Sequence, residues 1–159
     1  MRVSLIMGSV SDKEFVEEAK KILDEFGIEY EVKVLSCHRS PNLLREYIRE
    51  AEQKGVKIFV AFASKAAALP GVLASYTTLP VIGVPLRSDF LDGFDSIISM
   101  TNLPKFCSCL VSSLGKAGAI NAALSVVKIF ALQNQKIKEE LEKFYKRIEE
   151  QIRIQNKNP

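Results

Sequence analysis

The eight residues Val56 to Ala63, VKIFVAFA, are apolar at every position but Lys57. A strand that alternates in polarity can leave one face in water, whereas a strand without alternation must be covered on both. Eight residues are few for a buried helix, and Val, Ile and Phe dominate, which favours a central strand of a parallel sheet. Such a sheet needs helices above and below it.

The rest of the chain has the segments to build that arrangement. Apolar runs at Arg2 to Met7 (RVSLIM) and Tyr30 to Ser36 (YEVKVLS) precede this strand; Val81 to Pro85 (VIGVP) and a run near Cys109 to Ser112 follow it. Ser11 and Glu14 stand at capping-box spacing, and Phe15, Ala19, Ile22 and Phe26 then recur at helical intervals until Gly27. Ser40 and Pro41 read as the N-cap and first residue of a second helix that buries Leu44, Tyr47, Ile48 and Ala51. An alanine-rich segment, Lys65 to Ser75, leads to the fourth strand, and a short helix is expected around Asp92 to Met100. Gly115 to Leu132 is apolar on most sides, so this helix is expected to be buried, in part against another subunit.

The last segment differs. Ile137, Leu141, Phe144, Ile148 and Ile152 make one apolar stripe on an otherwise charged helix. The expectation is a single α/β domain over residues 1–132, layered α/β/α around about five parallel strands. Residues 133–159 then form a long amphipathic C-terminal helix whose stripe packs on a neighbouring subunit or, as the alternative, on its own sheet.

At 159 residues, 47% apolar and 26% charged, the chain has the makeup of an ordinary globular domain with a real core. A net charge of +3, with Lys and Arg interleaved among Glu, argues against nucleic acid as a partner. No apolar run approaches the roughly 20 residues that span a bilayer, so no membrane is expected. The start, MRVSLIMGSVSD, turns polar too soon for a secretory signal. Cys37, Cys107 and Cys109 are an odd number, and CSC lacks the gap of common zinc knuckles, which points to a reduced, cytoplasmic protein without structural metal.

In open parallel sheets, ligands bind at the carboxyl ends of the strands. Two loops there carry chemistry. The first, MGSVSD, offers a glycine, the hydroxyls of Ser9 and Ser11, the Asp12 carboxylate and a helix N-terminus, a set that suits a phosphate and a ribose. Taken alone, these are also ordinary capping residues. The second, SCHRSP, adds Ser36, the guanidinium of Arg39 and the chain's one imidazole, His38. Imidazole passes protons both ways near neutral pH, and a guanidinium fork suits phosphate, so a sugar phosphate carrying a proton-labile ring would use every group.

GSVSD, SCHRSP, AAALPGVLASYTTLPVIGVPL and LGKAGAINAAL resemble, in order and spacing, the motifs of the N5-carboxyaminoimidazole ribonucleotide mutases of purine biosynthesis: GSxSD, SAHRTP, AAHLPG followed by LPVIGVP, and GKAGxxNAA. The resemblance implies a flavodoxin-like fold, assembly as an octamer with sites at subunit contacts, and transfer of a carboxyl group from an exocyclic nitrogen to the adjacent imidazole carbon. Carbon dioxide is the implied intermediate, and no metal, ATP or organic cofactor takes part. By the same resemblance His38 is the catalytic residue, and Ser9, Ser11, Asp12, Ser36 and Arg39 meet the ribonucleotide. Ser64, Lys65 and Leu69 of the third loop are expected to join them.

That third loop departs from the family pattern. Where the family has GAGGAAHLPG this chain has FASKAAALPG: Phe62, Ser64 and Lys65 stand at glycine positions and Ala68 at that of a second histidine. Phe106 and Leu110 occupy glycine positions in a later loop. Lys65 is either a solvated loop residue or an attractor for a carboxylate. Two rival activities follow from these departures: direct carboxylation of aminoimidazole ribotide by carbon dioxide, and nucleotide binding without turnover.

Overall fold

The computed structural model describes residues 1–157. Five parallel strands lie in the order β2-β1-β3-β4-β5: β1 Arg2–Met7, β2 Glu29–Val34, β3 Val56–Ala63, β4 Val81–Pro85 and β5 Leu110–Val111. Six helices connect and cover them: α1 Lys13–Glu25, α2 Pro41–Gln53, α3 Leu69–Tyr76, α4 Phe94–Thr101, α5 Gly115–Ala131 and α6 Gln135–Lys157. This is the expected three-layer α/β/α sandwich.

VKIFVAFA is the strand next to β1 near the middle of the sheet, and only Lys57 escapes burial. Its alternate residues feed separate cores. Ile58, Val60 and Phe62 join Val3, Leu5, Val16, Leu23 and the inner face of α5 on one side. Phe59, Ala61 and Ala63 join Ile6 and the predicted α2 stripe, Leu44, Tyr47, Ile48 and Ala51, on the other. The two faces of one strand thus hold both helical layers, which is why it tolerates almost no polarity.

Other expectations shift by local chemistry. In α1 the fully buried positions are Val16, Ala19 and Leu23, while Phe15, Ile22 and Phe26 pack at the margin. The helix ends as expected at Gly27, whose φ of +61° suits a residue without Cβ. The alanine-rich segment becomes helical only from Leu69, and β5 shrinks to two residues. Ser40 precedes Pro41 at the start of α2, yet its hydroxyl bonds Ser36, accepting from the Ser36 N–H at 3.1 Å and donating to its carbonyl at 3.0 Å, rather than capping the helix.

The first half of the C-terminal helix meets its own domain. Ile137 and Leu141 pack on the core of their own domain, and Phe144 meets Phe26 with ring centroids 5.5 Å apart. Arg147 also pairs with Glu25. Beyond this the stripe runs out: Ile152 and Ile154 are exposed. Residues 158 and 159 of the expected 133–159 segment lie outside the described residues. Among the described residues no helix is long and apolar enough to cross a membrane.

The tightest point of the sandwich is where α5 begins. Gly115 has φ +68°, and a Cβ built on Gly118 would collide with the carbonyl oxygen of Ser113. The Ser112 hydroxyl donates to the Gly118 carbonyl at 2.8 Å, fixing the turn in this approach. Gly118→Ala should therefore destabilise the fold by roughly 2 kcal/mol or more, since backbone rather than a movable side chain blocks the methyl. Urea denaturation of the two proteins checks this; equal midpoints would mean that the turn relaxes freely.

Candidate active site

Because β1 lies between β2 and β3, the loops following these three strands come together at one end of the sheet. Two backbone bonds carry the pairing past the strand ends: Leu35 N–H donates to the Met7 carbonyl at 2.9 Å, and Gly8 N–H to the Phe62 carbonyl at 3.4 Å. Between the loops lies an open cavity of about 500 Å³. Ser9, Ser11, Asp12, Ser36, His38, Arg39, Ser64, Lys65 and Leu69, the residues singled out from sequence, all line it.

The first loop is built differently from the expected capping box. Ser9, not Ser11, is the cap: its Oγ accepts from the Ser11 N–H at 3.3 Å, while the Asp12 carboxylate accepts from the Ser9 N–H at 3.2 Å. A 3₁₀ turn, Val10–Asp12, results, and Glu14 instead pairs with Lys116. Glycine before Ser9 and aspartate three residues after it make the tight reciprocal turn, leaving Ser11 on its outer side. The Ser11 hydroxyl lies 2.9 Å from Ser9 Oγ and 3.4 Å from Asp12 Oδ1, so two hydroxyls and a carboxylate form one linked group.

Asp12 is buried. Burial pushes its carboxyl above the ordinary value, against the lowering effect of the Ser9 N–H and the Ser11 hydroxyl. No cation of the described residues pairs with it, which leaves an acceptor at the cavity floor ready for ligand hydroxyls.

The second loop is a turn over Cys37 to Arg39, closed by Ser40 N–H to the Ser36 carbonyl at 2.9 Å and by Arg39 N–H to Ser36 Oγ at 3.2 Å. Arg39 reaches across to the first loop, where Nη2 donates to the Gly8 carbonyl at 2.8 Å. One end of the guanidinium is thereby anchored at the edge of the cavity that Arg39 lines. His38 is exposed at the lip, and its imidazole makes no hydrogen bond to a described residue.

The third loop, Ser64 to Ala68, is closed by Ala67 N–H to the Ser64 carbonyl at 3.1 Å. Lys65 and Ala67 have φ of +59° and +35°, conformations that glycine adopts freely and other residues rarely. Phe62, at another family glycine position, is instead absorbed into the core and fully buried. Phe106 has φ +69° and is fully exposed. Sequence reasoning did not assign Cys37, whose half-buried thiol also lines the cavity and is pushed up by burial; its adjacency to His38 was the available signal. Ala66 to Ala68 also contribute wall, as small residues without polar side chains to flag them. No group of three or more His, Cys, Asp or Glu among the described residues is placed to hold a metal ion.

A parallel sheet in this order, with hydroxyls, a carboxylate, a guanidinium and an imidazole around the mouth at its switch point, defines a nucleotide-handling α/β enzyme domain. The comparisons narrow the class. The AIR carboxylase family profile matches residues 2–151. The chain is 42% identical to the N5-carboxyaminoimidazole ribonucleotide mutase of Vibrio vulnificus over all of this chain and 98% of that protein. It is 46% identical to the mutase of Pyrococcus abyssi over 90% of this chain and 81% of that one, and 44% to that of Bacillus subtilis over 88% and 86%. The crystal structure of Treponema denticola PurE superposes with a TM-score of 0.87 at 28% identity, covering 95% of this chain and 93% of that one. The chain belongs to the AIR carboxylase family.

The raised Asp12 carboxyl has a definite sign in stability. The folded state holds this proton more tightly than the unfolded chain, so stability falls as pH rises from the ordinary value of 3.8 through the raised folded value. Asp12→Asn removes that loss. Chemical melts across this range should show the variant gaining on the wild type as pH rises; a difference independent of pH would mean that the carboxyl is not desolvated.

Proposed function

We propose that the chain is an N5-carboxyaminoimidazole ribonucleotide mutase, moving a carboxyl group from the exocyclic nitrogen to the adjacent ring carbon and yielding 4-carboxy-5-aminoimidazole ribonucleotide. The observation that carries this reading is the juxtaposition at one cavity mouth of a proton-transfer group, His38, with a phosphate fork, Arg39, and a hydroxyl–carboxylate group, Ser9, Ser11 and Asp12. The relatives that bear the mutase name match nearly the whole chain.

In this reading Arg39, Ser9, Ser11 and Ser36 hold the phosphate, and Asp12 accepts from ribose hydroxyls. Burial makes Asp12 a costly lone charge, and donors from a ribose offset that cost, so the same carboxyl that weakens the free fold strengthens the complex. Anchoring the ribotide at one end holds the ring in register with His38.

The reaction is redox-neutral and can be run with one imidazole. Protonated His38 gives a proton to the exocyclic nitrogen as its bond to the carboxyl carbon breaks, releasing carbon dioxide and the amine. The electron-rich ring carbon attacks the carbon dioxide and forms the new C–C bond, which leaves that carbon bearing both hydrogen and carboxylate. Neutral His38 then takes this hydrogen as a proton, aromaticity returns, and the imidazolium is regenerated. An imidazole free of protein hydrogen bonds can change partner between the two atoms. Exclusion of water around the bound ribotide is what keeps the gas beside the ring between the two steps.

The carboxylase and binding-only rivals separate in one ultraviolet assay with the carbamate ribotide at low bicarbonate. The mutase reading requires rapid isomerisation; turnover only on adding bicarbonate would replace it with direct carboxylation, and binding without turnover would end any catalytic reading. His38→Asn should lower turnover at least about a thousandfold while leaving ribotide affinity within a few-fold, in line with loss of general acid–base catalysis. Arg39→Ala should weaken the ribotide more than its dephosphorylated riboside, measured by calorimetry.

We also infer a cytoplasmic homo-octamer. Phe90, Phe94 and Ile98 stand exposed along and before α4, with Phe106 and Leu110 exposed at the β5 edge, and exposed large apolar side chains of this kind suit a subunit contact. The exposed end of α6 supplies further apolar contact. Replacing Phe94 and Ile98 together by Glu should shift the sedimentation coefficient to that of smaller species; an unchanged profile would place the interface elsewhere.

A further inference from the structure

Two cations line the cavity, and they stand on opposite flanks. Arg39 follows β2 and Lys65 follows β3, while β1 and its hydroxyl-bearing loop lie between them. Arg39 is tied to the first loop through the Gly8 carbonyl, beside Ser9 and Ser11. That flank is rich in donors and suits a phosphate, whose three oxygens need several partners. The Lys65 flank carries fewer polar side chains: Ser64 and Lys65 supply them, Ala66, Ala67, Ala68 and Leu69 complete the wall, and Lys65 is its one charged residue.

Lys65 forms no ion pair with a described residue. It is held at φ +59°, in a loop where Ala67 is also at positive φ. The left-handed region strains a residue with a Cβ, and strained residues of this kind gather where a loop meets a ligand. A flank with one cation, one hydroxyl and otherwise small apolar side chains matches a small, singly charged, planar group.

We propose that Lys65 is the residue that binds the migrating carboxyl group. This assignment rests on the mutase reading and deepens it: the phosphate end of the ribotide sits on the Arg39 flank, and the carboxyl end on the Lys65 flank. The ammonium attracts the carboxylate in the carbamate substrate and again in the ring-carboxylated product. Carbon dioxide is uncharged, so Lys65 favours both carboxylated species over the separated gas and amine. It thereby suppresses escape of the gas without making or breaking a bond. The charge also compensates in part for Ala68, which removes a polar side chain from the same corner.

Lys65→Met and Lys65→Arg test this, because both keep a Cβ and the same backbone strain and differ in charge. Binding is measured by calorimetry for 4-carboxy-5-aminoimidazole ribonucleotide and for aminoimidazole ribonucleotide, which differ only in the carboxyl group. Lys65→Met should weaken the carboxylated ribotide about tenfold, as expected for losing one charge-assisted contact, and the uncarboxylated one less than about twofold. Lys65→Arg should restore most of the difference. During turnover of the carbamate ribotide, Lys65→Met should also release more uncarboxylated ribotide. Equal losses for both ligands, or no loss for either, would overturn the assignment, and melting curves level with the wild type confirm folded variants. If the wild type binds both ribotides but does not isomerise the carbamate, the mutase reading falls while the carboxyl preference is still measured. A wild type that binds neither overturns both.

Discussion

The site depends on how β1 is held between β2 and β3. Every group in the cavity stands on a loop leaving one of these strands, so their spacing is set by the parallel ladder and by the two backbone bonds that extend it past the strand ends. Parallel pairing is only stable when both faces are covered. The two cores on either side of Phe59 and Val60 therefore do more than stabilise the fold. They fix the rigid edge from which Ser9, His38, Arg39 and Lys65 project, and a loop that begins on a rigid strand places a short side chain far better than one that begins on a mobile segment.

What could be read from sequence follows the length scale of the interaction. The apolar run of β3 and the α2 stripe are sums over many residues burying area, and both appear in the structure as expected. Caps depend on a single hydrogen bond, and there the reading failed. Both Ser9-to-Asp12 and Ser11-to-Glu14 have the right spacing, and a tight turn after Gly8 decides for the first; no count of residue types distinguishes them. The α6 stripe was legible but its partner was not, because periodicity reveals that a face is buried and never against what. Phe26 and Glu25, at the end of α1, turned out to receive Phe144 and Arg147.

The first two loops of the candidate site were legible because their residue types are improbable together, the third only through the resemblance of its motif, and the cavity gathers all nine residues. Its backbone was only half legible. Departure from a glycine-rich pattern marked Phe62, Ser64, Lys65 and Phe106 alike, yet the structure treats them differently. Lys65 and Phe106 keep the left-handed conformation that glycine would have taken, while Phe62 turns its ring into the core. A glycine can be needed for its φ or for its lack of volume, and one sequence does not say which.

Some residues that line the cavity are held at a cost to the fold. Asp12 is buried without a cation among the described residues, and Lys65 and Ala67 hold strained backbone. Each cost is modest, of order 1 kcal/mol for a strained residue, and the sheet and cores can carry such a sum. These features are complementary: a buried carboxylate with acceptor capacity to spare, an anchored fork and an ammonium are what a molecule with hydroxyls between two anionic ends would engage together. Binding such a ligand recovers the losses of the free protein, so affinity and stability are opposed at these positions. Relieving any one of them would leave a sturdier fold around a cavity less suited to its ligand.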